Sequence, residues 1–350
     1  MRLAVGLGLM VLLASPARAQ AFGSCVTGRA IGFIENAMLR ASVFNTGALF
    51  FGGSTTSGDG YIIPRGQTSL GRRGGPVSPL FAAGLWLGGE VNGEVRVAAA
   101  RYGGYDFWPG PLEDAASPPR DCSEHDRIYV VSRNDIERYY ATGELTDDLR
   151  DWPYQLGAPV LDGDGDLTNY DLRAGDQPDL IGDQAAWWVM NDVGNDHNPG
   201  TPLGVEVRAH AFVYANPSPV LLQTTFIRYE IINRGDTPIE SMYASLFSDP
   251  DLGDAGNDYM GTDTLRNMVF VYNDSNEDVV YGIPPALGIQ ILKGPVVGTD
   301  TLGATGSSTF TGGGPAGTND PIVPLEYYNY MQGLWGNGVP KTEGDVGYLS

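Results

Sequence analysis

The stretch TTFIRYEIIN at residues 224–233 is typical of a β-strand, because its side chains divide into two alternating sets. One set begins at Phe226 and the other at Ile227, and both contain large apolar residues. Similar short patterns recur at 205–214, 239–248 and 267–272, with turn residues between them. This spacing predicts a mainly β protein: an antiparallel β-sandwich, jelly-roll or Ig-like, with long Gly/Asp-rich loops.

The first half of the chain also predicts strands, together with one short helix. Segments 80–87 and 94–102 flank Asn92-Gly93, which is a strong hairpin signal. Ser132 and Asp135 form a capping-box pattern and Gly143 is a natural stop, so we expect a helix over 136–142. Further along, the turn residues 234–236 predict that segment 239–248 runs back beside segment 224–233 as a hairpin.

Residues 1–19 have the pattern of a signal peptide. Arg2 precedes an apolar run at 3–14, and Ala17-Arg18-Ala19 is a small-x-small cleavage site. That run is shorter than the ~20 apolar residues that span a bilayer, and no later run is longer. We expect a β-rich subdomain at 20–145 and an Asp-rich β-sandwich subdomain at 146–350, the second truncated at its C-terminal end.

The charge of the chain excludes some partners. The formal net charge is −21, from 42 acidic and 21 basic residues. Such a surface argues against binding nucleic acid or anionic membranes. Of the 29 aspartates, 20 lie between Asp147 and Asp278, mostly in Gly-rich segments, which points to acidic loops.

The chain has two cysteines, Cys25 and Cys122. In an exported protein they are expected to form a disulfide. The alternative is two separate buried thiols.

The densest acidic run is Asp162-Gly-Asp164-Gly-Asp166. Carboxylates this close repel one another, and Ca²⁺ prefers such clusters of oxygen ligands. The spacing matches the start of an EF-hand loop, but Leu167 and Arg173 stand where Gly and Glu are required. We therefore predict a looser calcium loop, completed by the backbone oxygen of Thr168 and by a carboxylate such as Asp171 or Asp176. The alternative is a solvated Asp/Gly turn.

A second acidic run follows segment 239–248. It is predicted to be a further calcium-binding group, or else a solvated acidic loop. Its members are Asp249, Asp251, Asp254 and Asp258.

An enzymatic role stays open. The chain contains no H-E-x-x-H zinc motif, no G-x-S-x-G elbow and no phosphate-binding loop. A polysaccharide hydrolase would need two carboxylates that flank a cleft. A pair of tryptophans that stack on the sugar would support such a function. Candidates are Glu206, Glu230, Glu240 and the pair Trp187-Trp188, although large aromatic residues are more often core.

Several stretches resemble large secreted proteins of bacteria with the type IX secretion system. The resemblance covers most of the chain from about residue 30 and is carried by AGLWLGG at 83–89, DFWPGPL at 106–112, GAPVLDGDG at 157–165, GDQAAWWVMND at 182–192 and SDPDLGD at 248–254. It implies export and a bacterial cell-envelope setting. Such proteins typically end in adhesion-type modules and a C-terminal sorting domain, and no segment of these 350 residues resembles that domain. The resemblance supplies no catalytic residues.

Together these features predict a secreted, calcium-stabilised β-sandwich protein of the bacterial surface or exterior. Its role would be structural, adhesive or glycan-binding, with extracellular glycans or cell-surface components as partners. The alternative is a secreted, carboxylate-dependent hydrolase that acts on polysaccharide.

Overall fold

The computed structural model describes residues 23–52, 59–71, 74–215, 218–315, 317–342 and 344–345. The predicted signal peptide at 1–19 lies outside these residues.

The described residues form antiparallel ladders throughout. The strands of the first half are β1 (Ile31–Glu35), β2 (Arg40–Phe44), β3 (Ala48–Leu49), β4 (Tyr61–Ile62), β5 (Leu80–Val91), β6 (Glu94–Arg101), β7 (Gly104–Tyr105), β8 (Trp108–Pro109), β9 (Tyr129–Ser132), β10 (Val160–Leu161) and β11 (Gln177–Pro178). Those of the second half are β12 (Gln184–Asn191), β13 (Val205–Val213), β14 (Phe226–Asn233), β15 (Glu240–Pro250), β16 (Asp258–Asp263), β17 (Met268–Asn273), β18 (Ala286–Gln290), β19 (Val296–Val297) and β20 (Asp300–Thr301).

Four α-helical segments in the described ranges connect or cover these strands. They are α1 (Arg133–Thr142), α2 (Asp147–Arg150), α3 (Pro219–Leu222) and α4 (Pro324–Met331). The predicted helix is confirmed as α1: Ser132 and Asp135 form a capping box, and Gly143 ends the helix in the left-handed conformation. The other three helices were not expected from the sequence.

Two large sheets form the body of the protein. The first has eight strands in the order β1-β2-β3-β5-β6-β7, with β4 beside β2 and β15 beside β5. The second has five strands in the order β14-β13-β12-β8, with β9 also beside β12. Both sheets contain strands from either side of residue 145, so the main core draws on both predicted subdomains.

The main core lies between the two sheets. Leu85 and Leu87 of β5 pack there with Trp188 and Met190 of β12, together with Val207 of β13. All five side chains are at most 3% exposed. Two sheets that bury their facing sides in one core make a β-sandwich, and the predicted fold class is confirmed.

The outer faces of both sheets are covered as well. On the first sheet, Trp86 packs against Tyr327 of α4, with ring centroids 4.7 Å apart. On the second sheet, Trp187 packs with Leu149 and Trp152 from the segment around α2. The central strands are therefore buried on both sides, and they contain apolar runs rather than a simple alternation.

A third sheet, β16-β17-β18, lies beside the sandwich. Val271 on one of its faces is 7% exposed, and Leu287 on the same face packs against the main core. This sheet is therefore anchored by one face.

Cys25 and Cys122 form a disulfide, as predicted, and both are buried beside Trp108. The bond joins residues 97 positions apart. Closing a loop of that length is worth roughly 4–5 kcal/mol in the chain-entropy account of disulfide stabilisation.

Two predicted hairpins have different outcomes. The β5–β6 hairpin is confirmed, with Asn92 and Gly93 both at positive φ. The expected hairpin of β14 and β15 is wrong, because β15 crosses to the first sheet and pairs with β5. The turn at 234–236 is present, but a turn does not determine which sheet the next strand joins.

None of the helices in the described part of the chain is long and apolar enough to cross a membrane.

Candidate metal centre

The loop at residues 162–176 is held at its base by a short ladder. Leu161 pairs with Gln177 and Val160 with Pro178, in β10 and β11. Asp162 directly follows β10 and Asp176 directly precedes β11. The first and last acids of the loop therefore lie side by side at its base.

Glycines allow the two sides of the loop to approach each other. A Cβ on Gly163 would lie 2.4 Å from the backbone carbon of Gly175, a distance that no real Cβ contact allows. Gly175 itself has φ +108°, a conformation that favours glycine. Glycine is thus present at the positions where the two sides of the loop come into backbone contact, Gly163 and Gly175.

Three carboxylates converge in this loop. One oxygen each from Asp162, Asp164 and Asp176 lies within 4.8 Å of the other two. Asp176 is 1% exposed, whereas the other two side chains are exposed. No other group of three His, Cys, Asp or Glu side chains among the described residues converges in this way.

Backbone hydrogen bonds fix the orientation of these acids. Asp176 accepts from the backbone N–H of Gly163 at 2.9 Å and from that of Asp171 at 2.6 Å. Asp162 Oδ1 accepts from the N–H of Asp164 at 3.1 Å and from that of Gly165 at 2.8 Å. Because a carboxylate has about four lone-pair positions, each acid keeps free acceptor capacity.

The other predicted ligands of this loop make different contacts. Asp166 Oδ1 accepts from the backbone N–H and the hydroxyl of Thr168, at 3.0 and 2.6 Å, and these bonds lower the pKa of Asp166. The carbonyl oxygen of Thr168 accepts from the hydroxyl of Tyr154, and Asp171 Oδ1 accepts from the N–H of Arg173. The structure therefore brings Asp162 and Asp164 together with Asp176, which the sequence offered only as an alternative to Asp171.

The charges of this acidic triad, Asp162, Asp164 and Asp176, have no cationic partner in the described part of the chain. None of the ion pairs among the described residues involves any of the three. Like charges at this separation repel one another, and a bound cation removes that repulsion. An all-oxygen set with one buried member suits a hard divalent cation, so these residues could hold such an ion.

The second acidic run uses its carboxylates in another way. Asp249 accepts from the Tyr102 hydroxyl at 3.0 Å. Asp254 Oδ1 accepts from the N–H of Gly256, and Asp258 Oδ2 accepts from the N–H of Leu252. These contacts cap turns and bind a neighbouring side chain.

One residue that the sequence did not single out organises this second region. Asp278 is 9% exposed and accepts from the backbone N–H groups of Asp254, Val280 and Tyr281 at 3.0, 2.7 and 2.7 Å. It lies far along the chain from Asp254, so local spacing contains no signal for it. Nearby, burial and the charges of Asp249 and Asp258 raise the pKa of Asp251 to about 6.

All but one of the residues named for a hydrolase lie in the core or in ion pairs. Trp187 and Trp188 are 2% and 1% exposed, so neither presents a ring to a sugar. Glu206 is 1% exposed, and its Oε1 is paired with Arg208 and Arg234 at 2.9 and 3.1 Å. Of the other two, Glu230 lies 3.6 Å from Arg208, and Glu240 is exposed at the start of β15.

A surface depression of about 510 Å³ lies next to α2. Both arginines in it are held in ion pairs: Arg127 pairs with Asp148 and Asp151, and Arg150 pairs with Asp147 and Asp151. The hydrogen bond from Arg150 lowers the pKa of Asp151 to about 2. An acid with so low a pKa does not serve as a proton donor near neutral pH.

No protein-family model, curated protein or solved structure matches this chain. The fold and the acidic triad are therefore the basis for any statement about function.

Proposed function

We propose that this chain is a secreted β-sandwich protein of the bacterial surface or exterior, with a structural, adhesive or glycan-binding role. In this proposal Ca²⁺ orders the loop at 162–176. The observation that carries it is the convergence of Asp162, Asp164 and Asp176 without a cationic partner among the described residues. The partners would be extracellular glycans or cell-surface components.

Two further features support an extracytoplasmic setting. Residues 1–19 have the pattern of a signal peptide. The Cys25–Cys122 disulfide suits an oxidising compartment, since disulfides seldom persist in the cytosol. The resemblance to proteins exported by the type IX system agrees with both. N-terminal sequencing of exported material should begin at Gln20.

Calcium is the ion of choice because of the ligands and their surroundings. Carboxylate and carbonyl oxygens in a flexible loop suit Ca²⁺, which takes six to eight ligands in varied geometry. Mg²⁺ demands near-ideal octahedral geometry and retains its water. The loop offers Asp162 and Asp164 from one end and Asp176 from the other, and such an all-carboxylate set suits Ca²⁺.

The test is calorimetry of the mature protein in 1 mM CaCl₂ and in EDTA. A ligand at about 100 times its Kd stabilises the folded state by about 2.7 kcal/mol, which corresponds to a rise in Tm of about 4 °C for a chain of this size. Isothermal titration with CaCl₂ should show heat from one site.

A matched pair of variants makes this test specific. Asp164→Asn removes a charge from the acidic triad and should abolish the calcium-dependent rise in Tm. Asp166→Asn changes an equally exposed acid two residues away and should retain the rise. Equal Tm values in CaCl₂ and EDTA for the unmodified protein, with no titration heat, would contradict the proposal.

No observation favours the hydrolase. The proposed tryptophans are core residues, and the buried candidate acid Glu206 is held in ion pairs.

A further inference from the structure

The third sheet presents an aromatic face on the side away from the sandwich. Tyr259 pairs with Tyr272 across β16 and β17, and Gly261 pairs with Phe270. Phe270 in turn pairs with Gly288 of β18. Because directly paired residues and residues two apart share one face of a sheet, the three rings and the two glycines lie together.

The three rings form a low platform, which we define as Tyr259, Phe270 and Tyr272. Ring centroids are 6.0 Å apart for Tyr259–Tyr272 and 6.1 Å apart for Phe270–Tyr272, with interplanar angles of 27° and 29°. A Cβ on Gly261 would lie 2.3 Å from Cζ and 2.6 Å from Cε2 of Phe270. The Phe270 ring therefore lies across the surface of the sheet, where only glycine leaves room for it.

The two tyrosines of the platform are exposed to solvent, and Phe270 is partly buried. Tyr259 is 54% exposed and Tyr272 is 45% exposed. The opposite face of the same sheet has Val271 and Leu287 packed inward. Large rings are thus displayed outward on a sheet that already has an anchored apolar face.

The platform carries little charge although the chain has a net charge of −21. Asp263, at the end of β16, is the one charged residue that shares its face among the residues of β16, β17 and β18, and it is paired with Arg266. Gln290 also lies on this face, and its Nε2 donates to the carbonyl of Arg266, which leaves Oε1 as an acceptor. A neutral ligand suits such a surface better than an ionic one.

The size of the face argues against a protein partner. Three strands spaced about 4.8 Å apart and about 20 Å long give one face of the sheet an area of roughly 300 Å². A stable protein–protein interface buries about 800 Å² on each partner. A row of rings of this size suits a narrow, extended ligand.

We propose that the platform binds a neutral polysaccharide, whose pyranose rings stack on Tyr259, Phe270 and Tyr272. The negative face of an aromatic ring attracts the C–H groups on the flat side of a sugar. The tyrosine hydroxyls and Gln290 Oε1 supply hydrogen bonds to sugar hydroxyls at the edge. This inference rests on the extracellular role proposed above and gives the glycan-binding option a site separate from the acidic triad.

The test is affinity gel electrophoresis of the mature protein in gels that contain hydroxyethyl cellulose, galactomannan or xyloglucan. Retarded migration is expected with at least one of them, and none with the anionic polysaccharide alginate. Loss of two stacked rings should weaken binding at least tenfold in Tyr259→Ala/Tyr272→Ala. The double variant Tyr259→Phe/Tyr272→Phe should retain most of the binding.

Leu265→Ala is the matched control, because Leu265 is a 92% exposed apolar residue in the segment between β16 and β17 and not on the platform. Its migration should equal that of the unmodified protein. The Tm of each variant is measured to confirm that it is folded.

Absence of retardation in all three neutral polysaccharides would overturn the inference, as would equal retardation of the double alanine variant. So would a dimer in sedimentation that the double alanine variant dissolves, because a second copy would then cover the face. Retarded migration without any calcium effect on Tm would contradict only the calcium proposal. A calcium effect without retardation would contradict only the polysaccharide site.

Discussion

The acidic loop at 162–176 and the acidic region at 249–258 have similar composition but use their carboxylates differently. In the first, the β10–β11 ladder and the Gly163–Gly175 contact bring three carboxylates to within 4.8 Å. In the second, each of three aspartates accepts a hydrogen bond from a backbone N–H or from Tyr102. An acidic run therefore becomes a candidate metal centre only where the backbone makes its carboxylates converge.

The largest effect is expected from glycines that allow close approach in each region. Gly163→Ala places a Cβ against the Gly175 backbone, so it should cost about 2–3 kcal/mol and also abolish the calcium response. Gly253→Ala meets Asp278 Oδ1 at 2.1 Å, at φ +117°, and should cost a similar amount. Its calcium response should remain. Urea denaturation in CaCl₂ and in EDTA separates the two effects, and an intact calcium response in Gly163→Ala would contradict the assignment.

A smaller effect is expected from exchanging the buried acid of each region. Asp176→Asn removes a carboxylate from the triad, so the calcium-dependent stabilisation of about 2–3 kcal/mol should disappear. Asp278→Asn loses part of a hydrogen-bonded cap and should be destabilised by about 1–2 kcal/mol, equally in CaCl₂ and in EDTA. If Asp278→Asn instead lost the calcium response, the second region would be the cation site.

The smallest effect concerns pH. The folded-state pKa of Asp251 is about 6, above the ~3.9 of an unfolded chain, so this carboxyl favours folding below about pH 4 and loses that contribution as the pH rises through 6. In EDTA at pH 8, Asp251→Asn should stabilise the protein by about 1 kcal/mol, a figure reduced because the side chain is only partly buried. The gain should vanish near pH 4.

The same variant in CaCl₂ at pH 8 tests whether Asp251 is a ligand, as the sequence predicted. A cation bound by Asp249, Asp251 and Asp258 would stabilise the ionised carboxylate of Asp251 in the folded protein. Asp251→Asn would then lower the Tm in CaCl₂ instead of raising it.

The elements that could be predicted from the sequence are those with local causes. Helix α1 follows from the capping box of Ser132 and Asp135 and from Gly143, and the β5–β6 hairpin follows from Asn92-Gly93. Strand β14 was expected because its alternation is visible within ten residues. Each of these signals acts over a few positions of the chain.

The elements that could not be predicted depend on distant partners. Strand β15 pairs with β5, more than 150 residues earlier, although the nearest turn suggested a hairpin with β14. The outer layer of α4 on Trp86 has no local signal either. In the candidate site, Asp162 and Asp164 were expected from spacing, whereas the choice of Asp176 over Asp171 depends on the β10–β11 register.

By itself the sequence determined the β-rich architecture, the disulfide and the presence of crowded acids, because alternation, the signal-peptide pattern and composition are properties of short stretches. The tertiary structure alone decided which acids converge, which tryptophans are buried and which aromatic rings face solvent. The reason is that strand pairing and loop closure bring together residues from distant positions, and the free energy of burial depends on those neighbours rather than on the adjacent sequence.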